Sequence, residues 1–499
     1  MTPSSTTSPA RPESNRWAIL ALLGVAQLMV VLDATIVNVA LPSAQKALHF
    51  SADNRQWAIT AYALSFGSLL LLGGKLGDLF GRKWTLIGGL SGFALASVMG
   101  GLAQSFAMLV AARALQGVFG ALLAPSALGL LTVTFQGSRD RAKAFGIFSA
   151  IAAGGASVGL LLGGVLTQAL SWRWSLYVNL AIAVPAAIAA LRLLSSERPA
   201  DRPRIDLPGV AVGSLGLFSL IYGFSNAETH SWSNPITIAA LAASAVLLLG
   251  FVAIERQVEH PLLPLRVISD RARGGAFATI ALAGSAVFAV FLFLTYYLQQ
   301  NLGYSPLKTG LAFLPMTVMI VLTATTVQTR ILARTGAKPI VITGMTLGVI
   351  SMLLLTRLTP HGSYATEVLP ALLLTGVGMG SIFAPAFSTA TLGVDRSDAG
   401  IASAMVNTSQ QVGGSVGTAL LSTIFASAAA SYASAHAHAA GVANAAAIHG
   451  YTTAFYWAAA IFGVGLLIAL LVLPSDGAAR ARTAQSEAAG ELALSVEAA

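Results

Sequence analysis

Apolar residues run along this chain in long blocks, each closed by a short break rich in polar residues, glycine or proline. About 20 mostly apolar residues are needed for a helix to cross the hydrocarbon of a bilayer. Fourteen blocks meet that length: residues 17–40, 56–75, 84–104, 107–131, 143–168, 173–194, 207–226, 235–254, 274–299, 309–329, 339–357, 368–391, 402–428 and 452–473. The first is too long for the core of a cleaved leader and holds Asp33 and Asn38, so it reads as a retained span.

The polar breaks carry the topology. With the N-terminus taken as cytoplasmic, alternate breaks hold 22 of the 28 Lys and Arg residues, among them Lys75, Arg82, Lys83, Arg141 and Lys338. The opposite side holds five, and Arg113 lies inside a span. Such a bias is a positive-inside signal and predicts an even number of spans with both termini in the cytoplasm. The expected location is a bacterial cytoplasmic (inner) membrane.

Composition narrows the function classes. Charged residues make up 9% of the 499 positions, against roughly 25% in soluble domains. Hydrophobic residues reach 56% before the 49 glycines are added. A soluble enzyme, a nucleic-acid binder and a disordered scaffold are all excluded by that balance. The net charge of +9 follows from topology and from attraction to anionic lipid, so no nucleic-acid partner is inferred. With no cysteine there is no disulfide, thiol nucleophile or thiolate metal site.

Two fragments recur at a similar offset. Gly81-Arg82-Lys83, between spans 2 and 3, returns as Gly336-Ala337-Lys338 between spans 10 and 11. Gly155-Ala156-Ser157-Val158-Gly159 in span 5 returns as Gly413-Gly414-Ser415-Val416-Gly417 in span 13. An offset of eight spans implies two six-span halves with spans 7 and 8 inserted between them. The expected fold is therefore an all-α membrane protein of two six-helix bundles (residues 17–200 and 257–473) around a two-helix insertion (201–256). Duplicated bundles of this kind are typical of secondary transporters, with the substrate site between the halves. Residues 1–16 and 474–499 read as disordered cytoplasmic tails. His436, His438 and His449, in the Ala-rich stretch 430–450, read as polar filler, and no metal site is assigned.

Few residues are left to carry chemistry. Asp33 is the carboxylate placed deep in a span, where an ionised acid costs about 2.5–3.5 kcal/mol. Either it loads and releases a proton, or it is permanently paired with a cation. Arg113 is the matching cation in span 4, and Gln116, Gly117 and Gly120 share its face. It either tunes an acid or touches substrate, or it bridges helix carbonyls. Gly155, Gly159 and Gly163, with Gly164 beside them, form a strip that admits a close helix, in plain packing or as a sliding contact between the halves. Ser403, Asn407, Gln411 and Gly414 stripe one face of span 13, which must be buried or line a cavity. Lys75, Asp78, Arg82 and Lys83 cluster on the inner loop after span 2, as topology alone or as a gate. Tyr296 and Tyr297 close span 9, as an interfacial belt or as a drug-stacking wall. Both G-x-S-x-G matches fall inside apolar helices, without the strand, His and acid of a nucleophile elbow. No phosphate-binding Gly-Lys-Ser/Thr loop occurs, so the chain carries no sign of an ATP motor.

Together these segments resemble the major facilitator superfamily, and specifically its fourteen-span drug:proton antiporter branch, over residues 17–473. Leu32-Asp33-Ala34-Thr35-Ile36-Val37-Asn38-Val39-Ala40-Leu41-Pro42 is similar to that branch's helix-1 signature. Gly74-Lys75-Leu76-Gly77-Asp78-Leu79-Phe80-Gly81-Arg82-Lys83 is similar to the superfamily's inner-loop motif, and Arg113-Ala114-Leu115-Gln116-Gly117 to its helix-4 motif. One departure stands in helix 5, where Leu160 replaces the usual proline and predicts a softened kink. The resemblance implies export of amphipathic organic compounds in exchange for protons, driven by the proton gradient with no cofactor. Asp33 would carry the proton and Arg113 would modulate it. Asp78, Arg82 and Lys83 would stabilise a gate. Asn38, Gln116, Tyr297, Asn407 and Gln411 are the substrate-cavity candidates. Involvement of a periplasmic adaptor is left open. The competing readings are uptake of a nutrient on the same fold, and a non-transporting membrane receptor.

Overall fold

The computed structural model describes residues 13–50, 52–135, 138–196, 206–259, 261–360, 362–394, 398–437 and 441–474. Most of both tails, His438 and the basic residues Arg198, Arg202, Arg204 and Arg396 lie outside them. Among the described residues all regular structure is helical. The first half comprises α1 (Glu13–Leu48), α2 (Ala52–Phe80), α3 (Arg82–Gly101), α4 (Phe106–Thr134), α5 (Ser138–Ala169) and α6 (Trp174–Leu193). The insertion comprises α7 (Leu207–Thr229) and α8 (Pro235–Glu255). The second half comprises a short α9 (Leu265–Ser269), then α10 (Arg271–Tyr296), α11 (Pro306–Thr326), α12 (Leu332–Thr335), α13 (Ala337–Leu355), α14 (Leu369–Ala390), α15 (Ala399–Ala435) and α16 (Val442–Leu471). Among the described residues, thirteen helices are each long and apolar enough to cross a membrane. The bent α5 makes a fourteenth span.

Several helices outrun the apolar blocks that predict them. The polar residues beyond each block still favour helix, because hydrogen bonds along the backbone cost nothing extra at the water interface. α1 continues through Pro42 to Leu48. α2 reaches Phe80, so Lys75 and Asp78 stand on the last turns of a helix and not on a loop. α15 and α16 absorb most of residues 430–450, expected as loop, including His449. The bend in α5 is 41° and falls around residue 157, although Leu160 stands in the proline position. Glycine and serine runs bend helices without proline, and residues 154–159 supply four such positions.

The internal repeat is real in three dimensions. Gly81 and Gly336 take positive φ of 89° and 75°, which side-chain-bearing residues rarely adopt, and each opens the helix that follows. Lys83 then donates to the carbonyls of Leu191 and Leu194 at the C-terminal end of α6, and Lys338 to that of Leu470 at the end of α16. A cation at those carbonyls complements the negative helix end. The end of the bundle that holds these lysines is called the basic end below.

The glycine strips make the same contact twice. A methyl on Gly159 would stand 2.0 Å from Thr35 Oγ1 and 2.9 Å from the Leu32 carbonyl, and one on Gly163 3.0 Å from the Ile36 carbonyl, both on α1. On Gly413 and Gly417 it would stand 2.1 Å from the Ala281 and 2.3 Å from the Ser285 carbonyl, both on α10. Each strip thus joins two helices of its own half. Contact between the halves is made by the other face of α5, where Gly154 meets Thr317 of α11 and Gly146 meets Gln328 in the π-helical turn Val327–Ile331 that follows α11. Gly164 faces open space.

Candidate functional site

Asp33 lies at the middle of α1 and has no exposed surface. Three donors converge on it. Arg113 Nη1, from α4, donates to Oδ2 at 2.5 Å. Gln116 Nε2, one turn further along α4, donates to Oδ1 at 2.9 Å, and Asn179 Nδ2, from α6, donates to the same oxygen at 2.7 Å. Both oxygens of the carboxyl group thus serve as acceptors.

The donors are themselves held. Arg113 is 1% exposed. Its Nε donates to the carbonyl of Ala58 on α2 at 3.1 Å, and Nη1 also reaches Gln116 Oε1 at 2.7 Å. The Tyr62 ring lies under the guanidinium at 4.4 Å. Ser97 Oγ, from α3, accepts from Gln116 at 2.7 Å and from Asn179 at 3.3 Å. Five helices of the first half, α1, α2, α3, α4 and α6, therefore meet at one charged pair. Charges in such a place are tolerated only when paired and hydrogen-bonded. Counting the repeat offset of 258 from Asp33 leads to Phe291 in the second half, so this pair has no counterpart there.

At the basic end a second cluster ties the halves together. Asp78 Oδ1 accepts from Arg82 Nη2 at 2.6 Å and from the backbone N–H of Gly400, in the first turn of α15, at 3.3 Å. A carboxylate is favoured there by the positive end of the helix dipole. The approach needs glycine on both sides. A methyl on Gly74 would meet the Gly400 carbonyl at 2.6 Å, and one on Gly400 the Gly74 carbonyl at 2.5 Å. Nearby, Arg141 of α5 donates to Thr391 Oγ1 at 2.9 Å, and Arg266 pairs with Asp398 at 2.5 Å. Lys75 donates to the Pro261 carbonyl at 3.1 Å, pinning the chain that leaves the insertion.

The candidates thus separate. Asp33, Arg113 and Gln116 come together, as do Asp78 and Arg82. Lys75 and Lys83 bind backbone carbonyls instead of joining that pair. Asn38 is exposed on α1, clear of the Asp33 cluster. Asn407 donates to the Ser403 carbonyl in its own helix, and Gln411 packs on Gly67 of α2, at the seam between halves. Tyr297 packs inside the bundle and not in an exposed interfacial belt. It is wholly buried, and its hydroxyl donates to the Thr359 carbonyl at 2.9 Å and lies 3.3 Å from Glu367 Oε2, at the end opposite the basic one. Sequence reading missed Asn179, Ser97 and Tyr62. A polar residue inside a span was the signal available for Asn179 and Ser97.

The sequence profile of the Major Facilitator Superfamily matches residues 23–418. The puromycin resistance protein pur8 of Streptomyces alboniger is 45% identical over 465 residues, covering 93% of this chain and 91% of that protein. The cephamycin export protein CmcT of Amycolatopsis lactamdurans is 37% identical over 423 residues, covering 84% and 87%. Among solved structures, the proton:xylose symporter XylE superposes with a TM-score of 0.66 at 14% identity, over 93% of this chain and 97% of that one. The human organic anion transporter MFSD10 superposes with a TM-score of 0.63 at 14% identity, over 92% and 100%. These two share the fold. Profile, relatives, fold and internal repeat agree: the chain is a multi-pass membrane transporter, not an enzyme, and it belongs to the Major Facilitator Superfamily, among that family's antibiotic resistance and export proteins.

Proposed function

We propose that this transporter exports amphipathic organic compounds in exchange for protons, with Asp33 as the proton-binding group. The supporting observation is the Asp33–Arg113 pair, an acid in the middle of a span whose three donors come from two other helices, α4 and α6. Three N–H donors leave an acceptor site free on Oδ2 of Asp33, and a proton taken up there removes the negative charge that strengthens all three bonds. Each such bond to a charged group is worth about 1.5–3 kcal/mol. Protonation therefore weakens the hold on Arg113, Gln116 and Asn179 and loosens the junction of α1 with α4 and α6. Loss of the proton draws those helices together again. In this way one proton biases the equilibrium between two packings of the first half, which is what coupling requires.

The energy source is the proton gradient alone. One pH unit supplies about 1.4 kcal/mol per proton, and 100 mV about 2.3 kcal/mol per charge moved. With Asp33 the one acid at mid-span among the described residues, neutral, zwitterionic and singly charged substrates suit the site best. The relatives' names join several chemically different antibiotics, which favours a broad amphipathic class. The basic end faces the cytoplasm, following the positive-inside bias, and the membrane is the bacterial inner membrane.

The test is reconstitution into liposomes with an imposed pH gradient, following fluorescent amphipathic dyes. Gradient-driven flux in the parent that is lost in Asp33→Asn supports the reading. Flux that ignores the gradient in both proteins rejects coupling at Asp33. Accumulation in the direction of uptake would instead favour the nutrient reading.

A further inference from the structure

The seam between α5 and α11 at the basic end closes over a side chain that the closed state does not satisfy. Gln328 is 1% exposed, and neither its Nε2 nor its Oε1 has a hydrogen-bond partner among the described residues. It stands in the π-helical turn Val327–Ile331, which interrupts the cytoplasm-facing end of α11. Such turns shift side chains off the regular helical face and are frequent at functional sites. Across the seam is Gly146 of α5. A methyl there would meet Gln328 Cβ at 3.1 Å and the Ala324 carbonyl at 3.2 Å, so the two backbones are close and no larger residue fits without a shift. Beyond Gln328 the seam is sealed by small residues, Ala150, Ala324 and Ala384, packed on one another. The methyl side chains of these alanines offer the amide no hydrogen-bonding group.

A buried primary amide with no partner forfeits the hydrogen bonds it makes in water. The penalty applies only while the seam is shut. We propose that Gln328 is the opening element of this gate: its unmet amide raises the free energy of the closed seam, so that the Asp78–Gly400 and Arg141–Thr391 contacts hold the gate without locking it. This rests on the transport cycle proposed above, in which the basic end must open once per turnover. A gate sealed by alanine and leucine alone would be more stable shut and slower to open. Gln328 thus offsets part of the stabilisation that the charged contacts provide and keeps both conformations populated.

The absence of native cysteine allows a direct test. Ala384 has no exposed surface and lies in the seam, so Ala384→Cys in the full chain in nanodiscs reports opening through its reaction with a soluble maleimide. Adding Gln328→Leu, which removes the polar groups, is expected to slow labelling by roughly fivefold or more and to raise the melting temperature. Adding Gln328→Glu, which places a charge in the closed seam, is expected to speed labelling. Opposite shifts of the two variants support the proposal. Equal rates, shifts in the same direction, or a lower melting temperature for Gln328→Leu overturn it. Labelling needs neither substrate nor a pH gradient, so the outcome is independent of whether Asp33 couples transport to protons.

Discussion

Arg113 and Asp33 stand 2.5 Å apart, 80 residues apart in sequence, and neither touches solvent. That single pair satisfies both readings the sequence allowed, a proton carrier and a permanently neutralised acid. In the first, the pair opens during the cycle; in the second it never does. Stability measurements separate the electrostatic part. Removing one member of a buried pair costs about 3–5 kcal/mol, because the other charge is left without compensation. Arg113→Ala strands Asp33, whereas Asp33→Asn leaves Arg113 with Ala58, Gln116 and the Tyr62 ring. Thermal denaturation in detergent is expected to show a larger loss for Arg113→Ala than for Asp33→Asn. The double variant should recover part of the difference.

Asn179 is expected to matter for coupling although it has no exposed surface. Asn179→Leu leaves Oδ1 of Asp33 with Gln116 alone. Gradient-driven dye flux should fall several-fold while the substrate concentration for half-maximal flux stays within twofold. A change confined to that concentration would show instead that Asn179 touches substrate.

The two neighbouring glycines at 163 and 164 predict opposite outcomes. Gly163→Ala drives a methyl to 2.9 Å from Ile36 Cγ1 and 3.0 Å from the Ile36 carbonyl, and the main chain of α1 cannot retreat alone. Gly164→Ala meets nothing within 4 Å and gains about 0.5–1 kcal/mol of helix propensity. Melting temperatures of the purified variants should move down for the first and slightly up for the second.

Asp78 is expected to act as a closing contact at the basic end. Asp78→Ala removes both the Arg82 pair and the acceptor for the Gly400 N–H, and Asp78→Asn keeps a neutral acceptor. Labelling of a single cysteine at Ala384 should be fastest in Asp78→Ala, intermediate in Asp78→Asn and slowest in the parent. Equal rates in all three would show that the seam stays closed without it.

Tyr297→Phe tests the buried tyrosine that closes α10. Losing the hydroxyl leaves the Thr359 carbonyl without that donor, a loss of about 0.5–1.5 kcal/mol. The melting temperature should drop modestly while the range of transported dyes is unchanged. A narrowed range would return Tyr297 to the substrate cavity.

The features legible in the amino-acid sequence are those the bilayer imposes. Hydrocarbon demands long apolar helices, so fourteen spans, the two halves and the insertion can be read from runs of residues and one repeated offset. An acid and an arginine inside spans are costly enough to be conspicuous, so Asp33 and Arg113 stand out from the residue pattern alone. Which groups meet is settled by helix packing. Sequence spacing fixes neighbours on one helix, such as Arg113 and Gln116, but not the rotation of α6 that delivers Asn179 or of α2 that slides Tyr62 beneath the guanidinium. Nor does a glycine strip reveal its partner, because any helix can approach a surface without side chains. α1 took that place, and the opposite face of α5 met the other half. Gln328 is the sharpest case. In the sequence it is one polar residue near the end of a span, and its lack of a partner comes from a π-helical turn and from alanines contributed by three different helices.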